Sequence, residues 1–172
     1  MADATDGQEK AYRPELEDNP INDATKIRSR AWRVFFEASG RLDGVLQSNL
    51  RRRFGLSLSD YNILLTLWEA RGHVLRMGEL ADRVVYSPSR LSYLVTQLVK
   101  DGLVRKERAS GDKRGFVASL TEQGEQTFLK ATRLHQRIVR EYLLDALSDD
   151  DISQIVRIFG GLDSRLRGEP LD

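Results

Sequence analysis

The stretch from Met77 to Gly124 constrains this chain more than any other. It holds two short helical segments joined by a tight turn, then two short strands around a basic loop bracketed by glycines. The second helical segment defines its own ends. Ser87 suits an N-cap, because its hydroxyl can accept from an unpaired amide of the first turn. Pro88 follows at the first helical position, where a missing N–H costs nothing. Leu91, Leu94, Val95 and Leu98 recur at helical spacing and form an apolar stripe, and Gly102 suits a left-handed C-terminal cap. The pattern predicts a helix from about Pro88 to Asp101.

The other side of that helix carries chemistry. Ser89, Arg90, Tyr93 and Gln97 point away from the apolar stripe, with Ser92 beside them and Ser87 and Pro88 at the helix start. Arginine can fork onto guanine and glutamine can pair with adenine, while hydroxyls and N-terminal amides suit phosphate oxygens. In isolation a solvated helix face would look the same, so the neighbouring segments decide. A short helix, roughly Gly78 to Val85, precedes it, with Leu80, Ala81, Val84 and Val85 expected on its inner side. Only Tyr86 and Ser87 separate the two, a spacing that fits a helix-turn-helix. Leu75, Arg76 and Met77 are candidates for a short extra strand. Downstream, Val104 to Arg108 and Phe116 to Leu120 read as strands, with Phe116, Ala118 and Leu120 sharing one face.

The loop between them, Ala109 to Gly115, offers no apolar reason to project, but Lys113 and Arg114 at its tip can reach phosphates or a narrow minor groove. Asp112 is expected to orient Arg114 or a nearby helix residue. From Arg76 to Gly115 nine basic side chains face five acidic ones, a net of +4, whereas the whole chain carries only +1. Positive charge is therefore concentrated on the segment, as nucleic-acid binding needs. The fold class expected is mainly α with a small β-hairpin wing: a winged helix-turn-helix at about 57 to 120.

The segment resembles the multiple antibiotic resistance regulator (MarR) family. The resemblance rests on Leu80-Ala81, Ser87-Pro88-Ser89, Gly102-Leu103-Val104-Arg105-Lys106, Asp112-Lys113-Arg114 and Leu120-Thr121-Glu122-Gln123-Gly124 taken together. The Arg105-Lys106 doublet departs slightly from the family pattern. The resemblance covers about Ile21 to Leu166. It implies a homodimeric transcriptional regulator of double-stranded DNA, most often a repressor relieved by a small ligand. A branch of the family senses oxidants through cysteine, and this chain has none.

The remainder of the chain supplies long helices. From Asn22 to Arg53, Ile27, Ala31, Val34, Phe35, Leu42, Val45, Leu46 and Leu50 repeat at three- and four-residue steps. Gly40 and Gly44 weaken this helix by roughly 1 kcal/mol each relative to alanine, which favours a bend near them. Arg51, Arg52 and Arg53 close it, and a solvated end that complements the helix dipole is favoured over phosphate contacts. Ser57 and Asp60 form a capping box for a further helix to Arg71, with Ile63, Leu64, Leu67 and Trp68 inside. Thr121 caps a helix through Phe128, Leu134, Ile138 and Tyr142 to about Ala146. Ser148 caps the last one, with an apolar row of Ile152, Ile155, Val156, Phe159 and Leu162.

The helices at 22–53 and 121–166 are too long for the small winged unit to cover, and a second copy of the chain is the simplest partner. Two recognition helices would then stand one turn of DNA apart, about 34–36 Å, over a pseudo-palindrome. The segment 1–20, with six acidic and two basic side chains, is expected to be a mobile tail, and 167–172 a short tail. At 172 residues and 40% hydrophobic content, the part between them is expected to be a single domain. Its polar start and the lack of a long apolar run lead to the expectation of a cytoplasmic chain that makes no use of a membrane.

Two histidines, His73 and His135, without nucleophile or metal-ligand spacing around them, argue against an enzyme, a metal or a cofactor. Two other readings stay open: an architectural DNA binder without a ligand switch, and a winged helix used for protein contacts. By analogy with the family, an effector cleft would draw on Trp32, Phe35, Phe36, Tyr61 and Trp68, which would suit a planar organic acid or phenol. Those five are also ordinary core candidates.

Overall fold

The computed structural model describes residues 23–109 and 115–168. Among these described residues six α-helices and three strands follow in order: α1 (Asp23–Phe54), α2 (Leu58–Glu69), β1 (Val74–Arg76), α3 (Met77–Arg83), α4 (Pro88–Lys100), β2 (Val104–Arg108), β3 (Phe116–Leu120), α5 (Glu122–Tyr142) and α6 (Asp149–Arg167). The chain divides into two units inside α1, between Ala38 and Ser39. In the first, the described residues are one amphipathic stretch of helix, on which Ile27, Trp32, Val34 and Phe36 are all more than half exposed.

The second unit is built around α2. Ser57 accepts from the Asp60 amide at 3.0 Å, and the Asp60 carboxylate accepts from the Ser57 amide at 2.8 Å, completing the capping box. Ile63, Leu64 and Leu67 are fully buried and meet Leu80 of α3, Leu91, Val95 and Leu98 of α4, Val104 and Ala118 of the sheet and Phe128 of α5 in one core. The sheet has the order β1-β3-β2 and is antiparallel throughout, with Leu75 opposite Ala118 and Lys106 also opposite Ala118. A smaller cluster of Leu46, Leu134 and Ile138 joins the end of α1 to α5.

The Gly102 and Gly124 motifs interlock, and the geometry explains both. Gly102 sits at φ +72°, the left-handed conformation that ends α4. The Thr121 hydroxyl donates to the Gly102 carbonyl at 2.7 Å and accepts from the Gly124 amide at 2.9 Å. The Thr121 amide donates to the Leu103 carbonyl at 3.1 Å. One threonine thus caps α5 and ties it to the turn between α4 and β2. The Leu103 carbonyl lies where a side chain at residue 124 would be: a Cβ there would stand 2.0 Å from its oxygen.

Several expectations need correction. Val85 is 92% exposed rather than on the inner side. α3 stops at Arg83, and Val84 takes extended backbone (φ −106°, ψ 150°), which leaves Val85 in the turn outside the helix. The link between α3 and α4 is therefore four residues long. Tyr142 is 60% exposed because α5 ends there, and a 3₁₀ turn at Leu144–Ala146 takes over. Met77 opens α3 and does not extend β1. The apolar row of α6 is present, but no residue of that helix is buried.

Candidate nucleic-acid interface

α4 forms as its ends dictate. Ser87 is extended (φ −61°, ψ 151°), its hydroxyl accepts from the Arg90 amide at 3.4 Å, and Pro88 occupies the first turn. Leu91, Val95 and Leu98 lock one side of the helix into the core. That burial turns Ser87, Pro88, Ser89, Arg90 and Tyr93 into solvent, with Ser92 and Gln97 half-buried at the margins. Tyr93 is 63% exposed. No acidic side chain lies in the first turn of α4, so the positive end of the helix is left for an anion. Thr96, also exposed, was not singled out from the sequence; its hydroxyl donates to the Ser92 carbonyl at 2.7 Å.

Arg90 is supported from two sides. Its guanidinium carbon lies 5.0 Å from the centre of the Tyr86 ring, and its Nη2 donates to Ser59 Oγ of α2 at 3.3 Å. The Tyr86 hydroxyl accepts from Asn62 Nδ2 at 3.3 Å, and the ring packs against the core. Neither Ser59 nor Asn62 is marked by the sequence pattern, and Tyr86 stands out there only as part of the turn. An aromatic residue directly before an N-cap, with arginine four positions on, was the available signal.

The hairpin of β2 and β3 closes through a bond from the Ala109 amide to the Gly115 carbonyl at 3.0 Å. Asp112, Lys113 and Arg114, expected at its tip, lie outside the described residues. Where the two strands enter the loop, Phe116 is 39% exposed, with Lys106 Nζ 5.1 Å and the Arg108 guanidinium 5.6 Å from its ring centre. Tyr86 and Phe116 thus each carry a cation over the ring.

The proposed ligand aromatics fall in different settings. Trp32 stands 6.0 Å from Phe35 and 5.7 Å from Phe36 on α1. Tyr61 is buried, stacked between Phe128 at 5.7 Å and His135 at 4.7 Å. Trp68 is half-buried between Phe128 and His73. Burial raises the Tyr61 pKa and lowers that of His135, so both rings are neutral at pH 7. His73 accepts φ +56° and places Nδ1 2.8 Å from the Trp68 carbonyl oxygen. Both histidines thus stack on aromatic rings. Among the described residues no group of three or more His, Asp or Glu could hold a metal, and no helix is long and apolar enough to cross a membrane.

A short helix, a capped second helix with a polar exposed side and a three-stranded sheet ending in a hairpin define a winged-helix DNA-binding protein. A family model described as MarR family matches residues 30–115. The chain is 28% identical over 136 residues to the HTH-type transcriptional repressor YetL of Bacillus subtilis, covering 76% of this chain and 77% of that one. Among solved structures it resembles AbsC, a MarR family transcriptional regulator from Streptomyces coelicolor, at 34% identity and TM-score 0.79, covering 88% of this chain and all of the other. It also resembles Sco3205 from the same organism, solved in complex with DNA, at 30% identity and TM-score 0.79, covering 88% and 92%. The chain belongs to the MarR family of transcriptional regulators.

Proposed function

We propose that the chain is a homodimeric repressor that occupies a pseudo-palindromic operator, reading it with α4 and anchoring with the hairpin. The observation that carries this is the exposed row of Ser89, Arg90 and Tyr93 at the capped, positively polarised start of a helix whose other side is locked into the core. The repressor output is supported by the likeness to YetL, and duplex DNA as partner by the likeness to Sco3205. The cytoplasm is the compartment that fits a partner of that kind.

The test is selection of duplexes from a randomised pool by the full chain, followed by a salt titration of the recovered sequence. About six phosphate contacts give a log–log slope of about −5, because each neutralised phosphate releases counterions worth about 0.9 log units. Arg114→Ala weakens all sequences alike and makes the slope shallower by about one unit. A slope near zero, or recovery of no common half-site, rejects operator reading and favours a coating protein or a protein-interaction module.

An effector is the second half of the proposal. Arg28, Ser29, Trp32, Arg33, Phe36 and Glu37 share one exposed side at the start of α1. Arginine beside aromatic rings suits a planar organic acid. Such a ligand releases DNA only through differential affinity for two spacings of the reading heads. Benzoate added to the operator complex tests this step in the same titration: a shifted midpoint supports it, and an unmoved one rejects it.

A further inference from the structure

An arginine reader is useful only if its guanidinium arrives in one orientation. Its long side chain has many rotamers, and ordering them on the DNA subtracts from affinity and blurs the choice of base. In this chain the ordering is present before DNA arrives. Tyr86 lies under the guanidinium, Ser59 accepts one of its N–H groups, and Asn62 donates to the hydroxyl of Tyr86. Ser59 and Asn62 are three residues apart on α2, so they share one side of that helix. α2 is in turn fixed by its capping box and its buried leucines. A guanidinium carries five N–H donors, and this arrangement engages one of them in a hydrogen bond. The others are left for the N7 and O6 of a guanine.

We propose that Tyr86, with Ser59 and Asn62, is a specificity-determining support that presets Arg90 for a single base pair in each half-site. The proposal rests on α4 being the groove-reading helix. Tyr86 is a positioning residue here: it acts through Arg90 and has no base contact of its own.

The experiment uses the full chain, the duplex it selects from a randomised pool, and every single-base-pair variant of that duplex. Arg90→Ala loses about 5- to 150-fold of discrimination at one base pair of each half-site. Tyr86→Leu loses about 3- to 30-fold at that same base pair, with the salt slope of the parent. Tyr86→Phe keeps the ring and retains most of the discrimination. Ser59→Ala gives a loss of about 3-fold there. In the Arg90→Ala background, Tyr86→Leu changes nothing further. Ser59→Ala removes a single hydroxyl and carries the comparison if Tyr86→Leu melts early. An Arg90→Ala profile identical to the parent's overturns the groove assignment of α4, and this proposal with it. A profile that depends on Arg90 but is untouched by Tyr86→Leu and Ser59→Ala overturns the proposal alone, as does a Tyr86→Leu loss at other base pairs.

Discussion

Gly124→Ala is expected to destabilise the protein by about 3 kcal/mol, at the upper end of what overpacking a well-ordered site costs. The added methyl would lie 2.0 Å from the Leu103 carbonyl oxygen and 3.0 Å from its carbon. Neither side can give easily. The Leu103 carbonyl is held by the Thr121 amide, and Gly124 is held by the Thr121 hydroxyl, which also binds Gly102. A shift of more than 1 Å, which restoring ordinary contact requires, breaks at least one of these bonds. For a chain of this length the melting temperature should fall by roughly 6–12 °C. Gly78→Ala is the control. Nothing lies within 4 Å of a Cβ there, and alanine is the better helix former, so its melting temperature should match or exceed the parent's. A Gly124→Ala protein that melts within a degree of the parent would show that the junction is looser than its geometry.

That glycine also illustrates what could be read from the chain alone. Leu120-Thr121-Glu122-Gln123-Gly124 was recognisable as a pattern, and Thr121 as a cap, because capping is local. The demand on Gly124 comes from Leu103, a residue of another element, and becomes visible only when β2 and α5 are placed. The same division runs through the reading head. Ser87, Pro88 and the spacing of Leu91, Val95 and Leu98 located α4 to within a residue, since helix ends and stripes are written in consecutive positions. The sheet strands were legible for the same reason.

Val85 was misplaced because the end of α3 carries no glycine or proline; the extended backbone of Val84 stops it. The support of Arg90 escaped because Ser59 is 31 positions away, and no periodicity links them. The five candidate ligand aromatics could not be sorted either. Spacing alone does not separate buried Tyr61 from exposed Trp32, and burial is decided by what packs on the helix.

Val156→Asp combined with Leu166→Asp is expected to abolish the proposed dimer and to weaken operator binding by about 10²- to 10⁴-fold. α6 has the sequence of a helix made to be covered: Ile152, Ile155, Val156, Phe159, Leu162 and Leu166 fall on one side at helical spacing. Yet Val156 is 67% and Leu166 78% exposed in the single chain. Within one chain, aspartates at such exposed positions cost little: helix propensity barely separates aspartate from valine and separates it from leucine by about 0.5 kcal/mol, and the negative end of the helix adds about 0.3–1 kcal/mol at residue 166. Across a two-fold axis the same four charges would be desolvated and brought close together, which is far more costly.

The double variant therefore separates folding from assembly. Its thermal unfolding at low concentration and its helical content stay near the parent's, while its mass by light scattering at about 10 µM halves. The DNA consequence follows from linkage of two heads. When one head is bound, a dimer presents the second at a high effective concentration, and a monomer must recruit it from solution. The variant should still recognise one half-site with the base preferences of the parent, because α4, Tyr86 and Ser59 lie on a different part of the chain. A variant that keeps the dimer mass would show that α6 faces something other than a second copy. A monomeric variant that keeps full operator affinity would show that one reading head suffices, and the pseudo-palindromic operator would then have to be abandoned.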